Sequence, residues 1–311
     1  MPCADTFSHE VAFYDDVDGY LDMAVPFLRR GLEAGEPTMV ALGSEKTELV
    51  RGALGPEAGE IRFVDIEELG RNPARLLPAW REFAAEQPNG TALRGLGEPV
   101  WPGRDAAEID ECHRHEALIN QVFGDRGGVS LLCPYDSRAL PDHVLQEALR
   151  IHPEVAGRNG AGLPSPSWEN DGAGSSPLEG ELRARPADAP EFRFGLDSLH
   201  ELRGFVARAA ATSGISDERA EDVILAASEV AANSIVHGGG KGRAYAWTER
   251  DALQFESRDS GRITEPLVGR VRPTATQAKG RGLWMANQLC DLVQIRSSEA
   301  GTVVRLRVDV D

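Results

Sequence analysis

Basic residues are scarce: 33 Lys and Arg stand against 50 Asp and Glu, a formal charge of −17 at pH 7. Phosphate backbones and anionic lipid surfaces are held by positive side chains, so this deficit excludes nonspecific nucleic-acid binding and attachment to an acidic membrane. Long apolar runs are missing too, and nothing approaches the roughly 20 residues that span a bilayer. The opening MPCADTFSHE lacks the basic-then-apolar order of a secretory signal, so the expected location is the cytoplasm. Cysteine is sparse: Cys3, Cys112, Cys133 and Cys290 are scattered without a CxxC pair, a usage that fits reduced thiols better than a disulfide framework. No internal repeat or heptad pattern is evident. Proteins and small molecules remain as the expected partners.

What is present is enough chain, at 311 residues and 41% hydrophobic, for two separate cores. The stretch RNGAGLPSPSWENDGAGSSPLEG, rich in Gly, Pro and Ser, predicts a flexible linker over 156–190 between domains at 1–155 and 191–311. Trp168 is its one large apolar residue. Before the linker, apolar runs at 10–14, 37–43, 61–66, 91–99 and 128–136 alternate with helical patterns at 18–34, 73–86, 105–123 and 141–150. Such alternation implies crossover connections, hence an α/β domain with a mostly parallel sheet covered on both faces. After the linker the pattern differs. A strand at 192–196, helices at 198–213 and 217–237, strands at 243–248 and 252–258, a helix at 282–292 and two closing strands predict an α+β sandwich with helices on one side.

Within that second half, SEVAANSIVHGG places Glu229 and Asn233 four residues apart on one helix face. Alone, the pair is an ordinary solvated face. Downstream, Asp259-Ser260-Gly261 and Gly280-Arg281-Gly282 add what a nucleotide site needs. Asn233 offers a side-chain oxygen to Mg²⁺, a hard cation that takes oxygen ligands. Asp259 can accept a hydrogen bond from the adenine amino group, and Gly261 lets the backbone pass close to the base. Gly280 and Gly282 flank a helix start whose N–H groups favour phosphate, with Arg281 and Lys279 adding positive charge. His237 reads as the end of its helix, beside Gly238-Gly239-Gly240.

On these motifs, residues 191–310 resemble the anti-sigma serine kinases of the histidine-kinase-like (GHKL) ATPase superfamily. The resemblance implies ATP and Mg²⁺ as cofactors, Asn233 as metal ligand and Glu229 as general base for phosphoryl transfer to serine. It also implies a sigma factor and a STAS-type anti-anti-sigma protein as partners, and allows a homodimer. One departure is visible: the second motif commonly carries another glycine two residues after the first, where Ile263 stands here, which puts tight adenine packing in doubt. A binding switch without phosphoryl transfer is the alternative reading. The segment from Gly261 to Gly280 reads as a short lid.

The first half resembles the RecA-like MEDS sensory domain of bacterial regulators, through HEVAFYDD at 9–16, FLRRGLEAGEPTMVALG at 27–43, GEPVW at 97–101 and the pairing of CHRHEALIN with LLCPYD. It implies a small-molecule ligand of unknown identity. Together the halves resemble the RsbA-type regulators of stress sigma factors. Gly43-Ser44-Glu45-Lys46-Thr47 echoes a phosphate loop but lacks its glycine spacing, so an ordinary strand-to-helix turn with Ser44 as N-cap is expected. Cys112, His113 and His115 invite a metal reading that Cys133 or His143 would have to complete. Neighbours on one helix do not all converge, and Cys112 and His115 are expected in a pocket or core, with Glu116 and Asn120 on a polar helix face.

Overall fold

The computed structural model describes residues 7–157, 162–168, 178–274 and 280–310. Two compact units divide between Gly174 and Ser175. The first runs β1 (Ser8–Tyr14), α1 (Val17–Glu33), β2 (Thr38–Leu42), α2 (Ser44–Leu54), β3 (Ile61–Asp65), α3 (Ile66–Leu69), α4 (Leu76–Ala85), β4 (Leu93–Gly97), α5 (Ala106–Phe123), β5 (Val129–Asp136), α6 (Asp142–Ile151), β6 (Glu154–Val155) and β7 (Leu163–Pro164). Its sheet has the order β3-β2-β4-β5-β1-β6-β7, parallel except where β7 runs against β6. Every residue of β2 and β4 is buried, the mark of strands covered on both faces. Asp105 starts α5 with a capping box closed by Glu108, which satisfies N–H groups the helix itself leaves open.

The second unit runs β8 (Glu191–Gly195), α7 (Leu199–Ser213), α8 (Asp217–His237), β9 (Lys241–Glu249), β10 (Ala252–Asp259), α9 (Arg281–Leu289), β11 (Leu292–Ser298) and β12 (Gly301–Asp309). Its sheet is antiparallel throughout, in the order β11-β12-β10-β9-β8. Leu253, Phe255, Val304 and Leu306 meet the helices on one face, where the fully buried Ala226, Ala227 and Ala231 let α8 lie close. The other face centres on a buried acid. Glu256 has no solvent exposure and sits opposite Arg305 in register, with Arg305 Nε at 3.0 Å and Arg258 Nε at 2.7 Å.

The expected linker is shortened from both ends. Leu163 and Pro164 pair with β6, and Ser165 Oγ donates to the Leu149 carbonyl at 2.6 Å, followed by a half-buried Trp168. At the other end Leu178 is buried, Arg185 stacks 3.8 Å over the Tyr245 ring, and Arg305 donates to the Arg183 carbonyl at 2.9 Å. Few apolar residues made this segment look free. Its backbone carbonyls and one arginine hold it across the polar face of the sheet.

Candidate functional site

Helix α8 is the spine of the site. Ser216 caps its start by accepting from Arg219 N at 3.4 Å, and Gly238 closes it by donating to the Ser234 carbonyl at 2.8 Å. Between these caps the apolar positions face the sheet, which leaves Glu229 and Asn233 half-buried on another side. Helix α9 begins against that side. Gly280 caps it in the left-handed region (φ 86°), and Gly282 packs on the pair. A Cβ on Gly282 would lie 2.9 Å from Glu229 Oε2 and 3.1 Å from Asn233 Nδ2, so only glycine lets the helix start approach this closely. The first and third motifs therefore meet. Arg281 is exposed beside them and reaches the Thr274 carbonyl at 3.5 Å, while Lys279 lies outside the described residues.

The second motif closes on the end of the same helix. Asp259 Oδ1 accepts from Gly261 N at 2.7 Å, a local turn that fixes the carboxylate, and Ser260 Oγ donates to the Gly238 carbonyl at 3.0 Å. Two residues that motif spacing did not single out complete the loop. Thr302 Oγ1 donates to the Gly261 carbonyl at 2.9 Å, and Ser297 Oγ accepts from Ile263 N at 2.8 Å. Gly238 was also missed as a packing position: a Cβ there would sit 2.3 Å from Asp259 Cγ and 2.5 Å from the Ser234 carbonyl. Gly238→Ala is expected to push Asp259 aside and to destabilise the second unit by about 1–3 kcal/mol, the cost of overpacking, measured as a lowered urea midpoint.

Ile263 has a defined place. It packs against the core of the second unit, so the loop after Gly261 turns inward where a glycine was expected. The predicted lid is partly pinned: Asn287 Nδ2 donates to the Gly269 carbonyl at 2.9 Å, and Arg270 is buried. Residues 275–279 lie outside the described residues.

In the first unit the Cys112-His113-His115 group does not converge. Cys112 donates to the Pro99 carbonyl at 3.2 Å and burial pushes its thiol up to about 12; His113 stacks 6.3 Å from Tyr135 and burial lowers it to about 4; His115 lines a cleft with Trp80, Ile119 and Leu131. Glu116 and Asn120 form no exposed polar face. Glu116 is fully buried and Asn120 bonds inward to His9 at 2.9 Å, because α5 turns this side to the sheet. The loop at 43–47 carries no phosphate cradle: Gly43, not Ser44, is the N-cap, and Lys46 Nζ rests 2.5 Å from Glu98 Oε1. Burial raises the Glu98 carboxyl, an effect the Lys46 ammonium opposes. Among the described residues no helix is long and apolar enough to cross a membrane.

An α/β unit with a mostly parallel sheet is followed by an antiparallel sheet whose helices carry the three motifs, a fold consistent with a GHKL-type ATPase domain. The comparisons agree: residues 8–153 match the family described as MEDS, the methanogen/methylotroph, DcmR sensory domain, and residues 192–308 match the histidine kinase-like ATPase domain. The chain thus pairs a MEDS domain with a histidine kinase-like ATPase domain. It is 26% identical over 162 residues to the transcriptional repressor DcmR of Methylorubrum extorquens, covering 47% of this chain and 58% of that protein's length. Among solved structures it is similar to the RsbU and RsbW domains of Rv1364c from Mycobacterium tuberculosis, at 19% identity over 39% of this chain and 32% of that one, with a TM-score of 0.29. The histidine kinase AdeS of Acinetobacter baumannii gives 9% identity over 40% and 68% of the two chains, with a TM-score of 0.24.

Proposed function

We propose that this protein is a sensor-regulated anti-sigma factor whose second unit binds Mg·ATP and phosphorylates a serine of a STAS-type anti-anti-sigma partner. The observation that carries the reading is the packing of Gly282 on Glu229 and Asn233 while Asp259 and Gly261 close on Gly238 of the same helix. Asn233 and Gly238 are five residues apart, about 7.5 Å along α8, and Glu229 extends the span to roughly 13 Å, a length suited to an extended nucleotide. Asp259, with Oδ1 committed to Gly261, keeps Oδ2 to accept from the adenine amino group. The N-terminal end of α9 would favour phosphate, and Asn233 would hold the metal through its side-chain oxygen. Bound Mg·ATP would supply the phosphoryl group, the bond from the γ-phosphorus to the bridging oxygen breaking as one to serine Oγ forms. Glu229 takes the serine proton. Binding of a small ligand to the first unit, in the cleft lined by Trp80, His115 and Leu131, would regulate this activity.

The packing of Ile263 into the core favours a second reading, in which ATP stabilises a surface that sequesters a sigma factor and no transfer occurs. Both are tested by incubating the full chain with labelled ATP, Mg²⁺ and candidate STAS proteins. Transfer supports the kinase, and saturable ATP binding without transfer to any cognate partner supports the switch. Absence of ATP binding sinks both. Asn233→Ala is expected to weaken Mg²⁺-dependent ATP binding by roughly 10- to 150-fold, the range for losing a hydrogen-bonding or ligand contact to a charged group, measured by calorimetry with and without Mg²⁺.

A further inference from the structure

Helices α5 and α6 cover one face of the first unit's sheet, and four side chains with no part in the nucleotide site meet beneath them. His9 stands on β1, Cys133 on β5, Glu116 on α5 and His152 just past α6. All four are buried, His9, Glu116 and His152 completely. One ligand atom each from His9, Cys133 and His152 lies within 4.8 Å of the others. Cys133 Sγ donates to His9 Nε2 at 3.3 Å, and Glu116 Oε1 lies 3.7 Å from His152 Nε2.

The surroundings orient each group. His9 Nδ1 donates to Asn120 Oδ1 at 2.9 Å, and Asn120 is held in that sense because its Nδ2 donates to the Ile151 carbonyl at 2.8 Å. His152 Nδ1 donates to the Ala148 carbonyl at 2.8 Å. Both imidazoles are thereby fixed in the tautomer that turns an Nε2 lone pair toward the cluster, the outer bond that metal-binding histidines characteristically make. Tyr135 OH donates to Glu116 Oε2, which leaves Oε1 facing His152. His152 Nε2 and Glu116 Oε1 are buried and make no hydrogen bond, an unfavourable state that a bound ion would relieve.

We propose that His9, Cys133 and His152 form a buried binding site for a zinc-class divalent ion, with the Glu116 carboxylate beside it. Tetrahedral nitrogen and sulfur ligands at zinc bond lengths stand about 3.3–3.8 Å apart, and His9 Nε2 and Cys133 Sγ already lie 3.3 Å from one another. Two imidazoles and a thiolate select this class over magnesium or calcium. The Cys133 thiolate and the neighbouring Glu116 carboxylate would also offset the charge of the dication at this buried position. On binding, the Cys133 sulfur–hydrogen bond gives way to a sulfur–metal bond, its proton passes to solvent, and no electron is transferred. The ion ties β1 and β5 to the segments of α5 and α6 that cover them.

The test uses the full chain, stripped with a chelator and titrated with Co²⁺. One equivalent is expected to produce the visible absorption of a tetrahedral cobalt site and a sulfur-to-cobalt charge-transfer band, both discharged by Zn²⁺. Cys133→Ser should abolish the charge-transfer band, while Cys3→Ser, Cys112→Ser, Cys290→Ser and Asn233→Ala keep it. His152→Gln should weaken zinc binding at least about tenfold. A wild-type chain that gives no such spectrum overturns the proposal whether or not any variant folds, and so does a charge-transfer band that survives Cys133→Ser.

Discussion

Glu229→Gln is expected to lower phosphoryl transfer to a serine substrate by roughly 10²–10⁴-fold, the usual range for a positioned general base, while ATP binding stays near wild type. The substitution preserves the shape that packs on Gly282, since the Gly282 backbone approaches Glu229 Oε2 and Cβ and an amide oxygen or nitrogen fits the same space. What it removes is the capacity to take a proton. Asn233→Ala acts earlier, on binding, and the two variants therefore separate the uses of neighbouring side chains on one helix turn. Single-turnover transfer measured at saturating ATP distinguishes them. Equal loss of transfer and binding in Glu229→Gln would show that the carboxylate holds nucleotide rather than accepting a proton.

A comparable effect is expected on stability at Glu256. Its two oxygens serve Arg258 and Arg305, and Arg305, with a side chain only 8% exposed, has little water to fall back on. Glu256→Ala strands that guanidinium and should cost about 3–5 kcal/mol, the range for removing one partner of a buried ion pair. For a unit of this size the loss lowers its melting transition by roughly 10–20 °C, and calorimetry on the full chain reads it as movement of one unfolding event with the other left in place. The double change Glu256→Leu with Arg305→Met should recover much of the loss, because no buried charge is then left alone. A single variant that melts like wild type would mean that water reaches the arginine and that the strap over this face is not closed.

That the three C-terminal motifs come together was legible in sequence because they lie in three short segments. Helix α8 runs over the expected 217–237, since Ser216 supplies a cap oxygen and the glycines after His237 stop the helix. Thr302 and Ser297 escaped notice because they support the Asp259 loop from strands distant in sequence. The same limit governs the first unit. Cys112, His113 and His115 drew attention by adjacency, yet about 100° of rotation per residue sends neighbours on a helix in different directions. His9, Cys133 and His152 come together only through parallel pairing of β1 with β5 and the return of α6, a juxtaposition no local pattern encodes. The linker misled for a related reason. Composition reports what a segment can bury, whereas residues 178–185 are held by one buried leucine, Leu178, together with backbone carbonyls and Arg185.

Helix α8 holds Glu229 and Asn233 at one end of the site and Gly238 at the other, so it acts as a ruler as well as a scaffold. A substitution at the exposed Val236 or His237 leaves both marks in place. A single inserted or deleted residue there would advance one mark by about 1.5 Å and rotate it by about 100° against the other, turning Asp259's anchor away from the face that Gly282 contacts. Length and phase in this short stretch therefore bind even where residue identity is free, at the exposed Val236 and His237.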